Sequence, residues 1–360
     1  MQKTRKLKPK GSRMTFNRDS IFLSAFRSLC NALGVVLGIF LAIFLITFTL
    51  STLSPPALIP EKCEVSIAPD QNGNQELLHG FSPAVLRIDI KGVIGMGDLT
   101  TEAIQNVLAD SRIEFLKKER VKAVFLYIDT PGGTADDAAG IYKALLDYKA
   151  KYKTPIYAFV DGMCASGGMY IGSAADKIYT TGSSVIGSVG VLLGPSFNFS
   201  DLMVKVGVQS KTITQGKDKD MLSPFRPWKE GEDRCLLNIT KSLYEQFVDV
   251  VTTNRKNLSK EKLIEEYGAQ VFDAVTAQKF GYTDVADSNY FEAMKALVEA
   301  AEIKGDYQVV LLASPKSLFS ELAKSKFSLL SGKVHHTFQI APYMSSEMSG
   351  KFLYLYQPSQ

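Results

Sequence analysis

Asp161-Gly-Met-Cys-Ala-Ser166-Gly-Gly168 sets a hydroxyl residue behind an apolar run, Pro155–Val160, and ahead of two glycines. The run reads as a strand, and Met169–Ala175 beyond it has helical character. A serine at a strand-to-helix turn is suited to nucleophilic attack. Its Oγ can stand free, the next N–H can point at a developing oxyanion, and a helix N-terminus favours negative charge there. The same residues would also serve as a small-residue turn that packs a helix closely on a sheet.

A second glycine pair bears on that choice. Ala123–Ile128 is short, apolar and rich in β-branched and aromatic residues, the pattern of a buried strand. It leads into Asp129-Thr-Pro-Gly132-Gly133. Thr134 can then cap a helix whose Ala138, Ile141, Leu145 and Tyr148 share one face. Lacking a side chain, Gly133 can bring its N–H close to another atom. Two such turns on neighbouring strands would make a two-donor oxyanion hole around Ser166. Two ordinary β–α turns of a parallel sheet are the alternative.

A serine nucleophile needs a base. The chain has three histidines, His79 early and His335 and His336 in the C-terminal tail, all remote in sequence from the glycine turns. Triad partners need not be sequence neighbours, but a histidine pair in a tail is usually solvated. Lys219, in Gly216-Lys-Asp-Lys219-Asp-Met-Leu-Ser-Pro224, is the better candidate, although such a charged run would by default be a solvated loop. Cys164, two positions before Ser166, is a rival nucleophile, but the glycines are registered on the serine.

Taken together these pieces resemble the signal peptide peptidase A family of membrane-bound serine peptidases. The matching segments are Asp129–Gly133, Ala165–Gly168, Thr181–Val191, Lys217–Arg226 and Gln270–Val285, in the family's order between about Val85 and Val309. The resemblance implies a crotonase-like, Clp-protease-like α/β fold of β–α repeats. It assigns Ser166 as nucleophile, Lys219 as general base and Ser188 as the residue that orients the lysine amine. Gly133 and Gly167 would give the oxyanion-hole N–H groups, and neither a metal nor a cofactor is expected. It also implies a homo-oligomeric ring, an octamer, with serine and lysine from adjacent subunits, acting on peptides such as cleaved signal peptides. Asp129-Thr130, Cys164 and Met169 depart from the family's usual small polar, alanine and aromatic residues, which leaves the cleft lining open.

The lysine role makes a definite demand. A free lysine titrates near ~10.4, so a base working near neutrality needs a shift of roughly 3 units. Asp218 and Asp220 would oppose that shift at close range. Both must therefore point away from the amine or be neutralised by partners.

The N-terminal region speaks to location. Ser28–Pro60 carries no charged side chain, and Asn31–Leu53 is a nearly unbroken apolar stretch, long enough for the ~20 residues that span a bilayer. No Ala-x-Ala cleavage signal follows. Lys3, Arg5, Lys6, Lys8, Lys10, Arg13, Arg18 and Arg27 precede it, against the single acid Asp19. The positive-inside rule then keeps the N-terminus cytoplasmic and exports the rest, which in a two-membrane bacterium puts a single-pass protein in the inner membrane with its enzyme domain in the periplasm. The basic arm can also touch anionic lipid. No aromatic–basic interleaving points to nucleic acid.

The expected organisation is a basic arm over 1–30, a transmembrane anchor over 31–53, a linker over 54–83, a peptidase domain over 84–310 and a C-terminal extension over 311–360. Strand candidates are Val85–Ile90, Ala123–Ile128, Pro155–Val160, Lys177–Thr180, Val185–Leu192 and Val208–Thr214, alternating with helices as in parallel β–α units. An apolar stripe of Leu236, Ile239, Leu243, Phe247 and Val250 marks a long helix that is either core or subunit interface. Cys63, Cys164 and Cys235 on the exported side are odd in number, so they cannot all pair internally. Three functions fit: a membrane-anchored serine endopeptidase, a crotonase-type enzyme acting on an acyl thioester, and a catalytically silent membrane scaffold.

Overall fold

The computed structural model describes residues 21–53, 63–78, 82–113, 116–117, 119–313 and 351–356. His79, His335, His336, the arm before residue 21 and the stretch 54–62 lie outside the described residues, as does most of the C-terminal extension. The chain divides into two compact units, Met1–Glu61 and Lys62–Gln360.

The first unit contributes one helix, α1 (Ile21–Leu53). Its segment Phe26–Ile46 has a mean hydropathy of 2.7 and none of it is buried. A helix this long and this apolar, with no protein to cover it, is compatible with a single-pass membrane anchor.

The second unit is a sheet with helices on both faces. Its elements are β1 (Glu64–Ala68), β2 (Ala84–Lys91), α2 (Thr101–Asp110), β3 (Val121–Thr130), β4 (Gly132–Thr134), α3 (Ala135–Tyr152), β5 (Ile156–Ala165), α4 (Gly167–Gly172), β6 (Lys177–Thr180), β7 (Val185–Gly187), α5 (Ser200–Lys205) and α6 (Arg234–Asn254). They are followed by α7 (Lys260–Lys262), β8 (Val271–Asp273), α8 (Ala274–Phe280), α9 (Tyr290–Ala300), β9 (Gln308–Ala313) and β10 (Leu353–Leu355). The main sheet runs β1-β9-β2-β3-β5-β7-β8, with β6 also on β5. Pairing is parallel through the centre and antiparallel only at β1–β9 and β7–β8.

The central strands are apolar on both faces because helices cover both. Val124, Leu126 and Ile128 of β3 join one core, with Ile141 and Leu145 of α3 and Phe247 of α6. Ala123 and Phe125 join the other, with Met294 and Leu297 of α9. This alternation of core partners is what a strand's two-residue period requires. In α3 the expected face of Ala138, Ile141, Leu145 and Tyr148 is buried, and Thr134 stands at the N-cap position.

Several elements differ from the expectation. The strand after Pro155 continues to Ala165, so it delivers Ser166 directly. Val185–Leu192 is a strand only over Val185–Gly187. Val208–Thr214 is exposed and irregular; among the described residues it has no neighbouring strand, and β-branched residues without a ladder partner do not make a strand. Two strands lie outside the 84–310 span: β1 pairs with β9, and β10 pairs with β4. In α6 the stripe is divided. Phe247, Val248 and Val251 are core, whereas Leu237 and Ile239 nearer the N-terminus are exposed.

Candidate active site

β5 ends at Ala165, and the chain turns sharply at Ser166, whose φ is 54° and ψ −116°. A non-glycine residue rarely holds such a conformation, which costs of order 1–3 kcal/mol and persists only where the surroundings enforce it. Here the Ser166 N–H donates to Gly187 O at 2.8 Å, and Tyr170 N–H donates to Ser166 O at 3.1 Å. The turn sits at the mouth of α4, all six residues of which are buried. Ser166 itself is only 2% exposed. Among the described residues no hydrogen bond to its Oγ is recorded.

The glycine strand β4 lies beside this turn. Ile94 borders one edge: its N–H donates to Gly132 O at 2.9 Å and its carbonyl accepts from Thr134 N at 3.0 Å. Thr130 Oγ1 donates to Gly92 O at 2.5 Å and accepts from Gly132 N at 3.1 Å. Asp137 braces the far end, with Oδ2 accepting from Thr134 Oγ1 at 2.6 Å and Oδ1 from Thr101 N at 2.9 Å. Gly132 has φ 99°, and a Cβ there would strike Tyr354 O and lie 2.8 Å from Gly167 N. Only glycine admits that approach.

The second edge of β4 is occupied by the chain's own β10. Tyr354 stands opposite Gly133 in antiparallel register. Ala135 N–H donates to Phe352 O at 3.0 Å, and Tyr356 N–H donates to Pro131 O at 2.7 Å. On its other side Leu353 exchanges two hydrogen bonds of 2.9 Å with Leu192. This segment therefore lies as an extended strand between two backbones. The Tyr354 carbonyl oxygen is directed at the Gly132–Gly133 backbone and at the start of α4, 3.1 Å from where a Cβ on Gly167 would stand. The Tyr354 side chain is fully buried. Its ring packs on Tyr170 at 5.2 Å and Phe247 at 4.5 Å, and its hydroxyl donates to Leu243 O at 3.0 Å. A groove of 620 Å³ lies at the Lys351–Phe352 end of this segment, lined among others by Asp136, Ile239, Leu243 and Gln246.

Gly133, Ser166, Gly167 and Ser188 thus converge. Ala165 pairs with Gly187 across β5 and β7, which sets Ser188 next to the Ser166 turn. Ser188 is 6% exposed, has φ 55°, and is anchored by its N–H on Gln270 O at 2.7 Å. Lys219 is different. It is exposed in a loop, and among the described residues no hydrogen bond or ion pair joins it to Ser166 or Ser188. Cys164 is a poor nucleophile. Its thiol is fully buried beside Met169 Sδ at 3.6 Å, and desolvation pushes its pKa up to about 12, against a smaller lowering by Arg255. All four cysteines are free.

The sequence reading missed Asp137 and Tyr354, and it named Thr130 only as a departure from the family pattern. For Tyr354 a signal was present, since Phe352-Leu-Tyr-Leu355 is a short aromatic and aliphatic run of strand type.

Comparison with known proteins decides the family. The model of peptidase family S49 matches residues 148–304. A protease-named protein of Synechocystis is 32% identical over 200 residues, 56% of this chain and 68% of that protein. The chain belongs to the signal peptide peptidase A family. A signal peptide peptidase SppA of Enterococcus faecium is 31% identical over 56% of this chain and 59% of the relative. Protease 4 of Haemophilus influenzae is 28% identical over 55% of this chain and 32% of its own length. The matched region therefore spans less than two thirds of the first of these relatives and about a third of the second. The Clp protease model matches residues 87–186, in keeping with the β2–β7 core, and the fold of this family member is a Clp-protease-like α/β fold.

Proposed function

We propose that this protein is a membrane-anchored serine endopeptidase that hydrolyses signal-peptide remnants or other apolar peptides. Ser166 attacks the scissile carbonyl, Gly133 and Gly167 N–H groups hold the oxyanion, and Lys219, oriented by Ser188, takes the serine proton. The observation that carries this reading is β10. An extended peptide backbone lies on the glycine strand with one carbonyl aimed between the two proposed donors, beside a strained serine. A peptidase must bind its substrate in this manner, with donors preorganised where charge develops. The aromatic pocket around Tyr354 and the adjoining groove would take apolar side chains. A peptide from elsewhere must displace the chain's own strand.

Lys219 is exposed and, among the described residues, has no bond to Ser166 within one chain, so in this reading a second copy brings its lysine in. The ring of identical subunits expected from the family resemblance meets that need, and the exposed Leu237 and Ile239 suit such a contact. With the basic arm cytoplasmic, the enzyme unit would face the periplasm.

The test uses full-length protein in detergent and a fluorogenic apolar peptide. Ser166→Ala and Lys219→Ala should each abolish turnover, with the double variant little worse than either. Mixing the two dead variants should restore part of the activity, since one kind of mixed interface carries both intact residues. Near-wild-type turnover by either single variant would sink the assignment. Turnover of an acyl thioester but of no peptide would favour the crotonase-type reading.

A further inference from the structure

The loop that carries Lys219 is organised by one guanidinium. Arg226 Nε donates to Asp220 Oδ2 at 2.7 Å, and its Nη2 reaches Asp220 Oδ1 at 3.1 Å and the Asp220 carbonyl at 2.7 Å. The same Nη2 meets Glu232 Oε2 at 2.6 Å, and Nη1 donates to Pro227 O at 2.9 Å. The Glu232 side chain is 2% exposed, and its Oε1 accepts from Leu222 N at 3.3 Å. Two non-glycine residues that bracket Lys219, Asp218 at φ 57° and Leu222 at φ 54°, are held in the left-handed region. Such a turn persists only when its surroundings over-determine it.

The fork has a second consequence. Lys219 can act as a base only when its amine is neutral, and the next residue is a carboxylate. An aspartate in direct contact with the amine would hold it as ammonium far more strongly than one turned away, because charge-assisted hydrogen bonds are short-range and strong. Both Asp220 oxygens are taken by Arg226. The other charged groups of this region are Lys217 and Asp218 on the same turn, Lys229, Glu230 and Glu232 on the returning limb, and Asp233 and Arg234 at the start of α6. Glu232 has both oxygens engaged within the loop.

Resting on the Ser166–Lys219 reading above, we propose that Arg226 is a positioning residue for the lysine base: it ties the Asp220 carboxylate into its own fork and so leaves the neighbouring amine free to shed its proton. A lysine at 226 would supply charge without the planar two-pronged geometry.

The experiment measures the pH dependence of peptide turnover by the full-length protein. Arg226→Ala should lower activity at neutral pH at least tenfold and move the rise of activity upward by about one pH unit. Adding Asp220→Asn in that background should return the rise toward its wild-type position, because the freed carboxylate is gone. Arg226→Lys should fall between. Asp220→Asn alone, which tests the idea even if Arg226→Ala folds poorly, should leave the rise in place or move it down. A profile of Arg226→Ala that drops at every pH with its rise unmoved would overturn the proposal, as would an upward shift in Asp220→Asn. Lys219→Ala, run alongside, separates the two claims. If it stays active, the lysine reading itself fails; if it is dead while the profile of Arg226→Ala does not move, only the role of Arg226 fails.

Discussion

Replacing Ser166 by glycine should leave a more stable protein than replacing it by alanine. Both changes remove the hydroxyl, so the two variants differ only in the Cβ. At φ 54° and ψ −116° that Cβ is strained. Relief of such strain amounts to about 1–3 kcal/mol. Glycine returns about 0.4–1 kcal/mol of this through the greater freedom of its unfolded chain. The net advantage of glycine is therefore about 0.5–2 kcal/mol, a rise of roughly 1–6 °C in Tm for a domain of this size. Ser173 provides the internal control. It has φ −65° and ψ −12°, ordinary helical values, and its Oγ bonds Met169 O. There alanine should exceed glycine by about 0.5–1 kcal/mol. Paired thermal or denaturant melts of the four variants decide the matter. Equal stability of the two Ser166 variants, or an advantage for alanine, would show that the serine is not held under strain and would remove the physical mark of a nucleophile elbow.

Other outcomes follow from the same geometry. Gly168→Ala should destabilise by about 1–3 kcal/mol, because its Cβ would stand 2.7 Å from Thr130 Cγ2 in a packed core; a melt within experimental error of wild type would contradict that packing. Removing residues 351–360 should raise kcat/KM for a short peptide several-fold by emptying the slot on Gly132–Thr134, and an unchanged value would mean that β10 does not compete with substrate. Alkylation at pH 8 followed by mass mapping should modify exposed Cys235 and spare Cys164, whose thiol is pushed up to about 12 by burial; rapid labelling of Cys164 would refute its inertness. Arg226 holds the Asp220 and Glu232 carboxyls below their ordinary values. Their contribution to the loop is therefore present above the ordinary carboxylate range and lost as pH falls through the lower folded values. Limited proteolysis within 216–232 should increase only below about pH 4, and an increase already near pH 6 would contradict this assignment.

Much of the core was legible because its signals are local. The apolar runs of β2, β3 and β5 are buried on both faces and so stand out at any register. The glycine pairs mark the two turns because close backbone approach excludes other residues, as Gly132 against Tyr354 O illustrates. What escaped depends on partners distant in sequence. β1 is a strand only because β9 lies next to it, and β10 only because β4 offers a free edge. Val208–Thr214 has strand composition but no such edge among the described residues. The positive φ of Ser166 comes from Gly187 and α4 together, which no local pattern encodes. The requirement that Asp220 be neutralised follows from the charges around Lys219, but its answer, Arg226, lies six residues on and is joined only by folding.

The central claim is that Ser166 is the nucleophile and that Lys219 activates it. Reaction of the full-length protein with a serine-directed phosphonate, followed by mass mapping, tests it most directly. The account predicts one adduct, on Ser166, formed in wild type, and at most a trace of it in Lys219→Ala. An adduct on another serine or on Cys164, or equal labelling of Ser166 without Lys219, would contradict it.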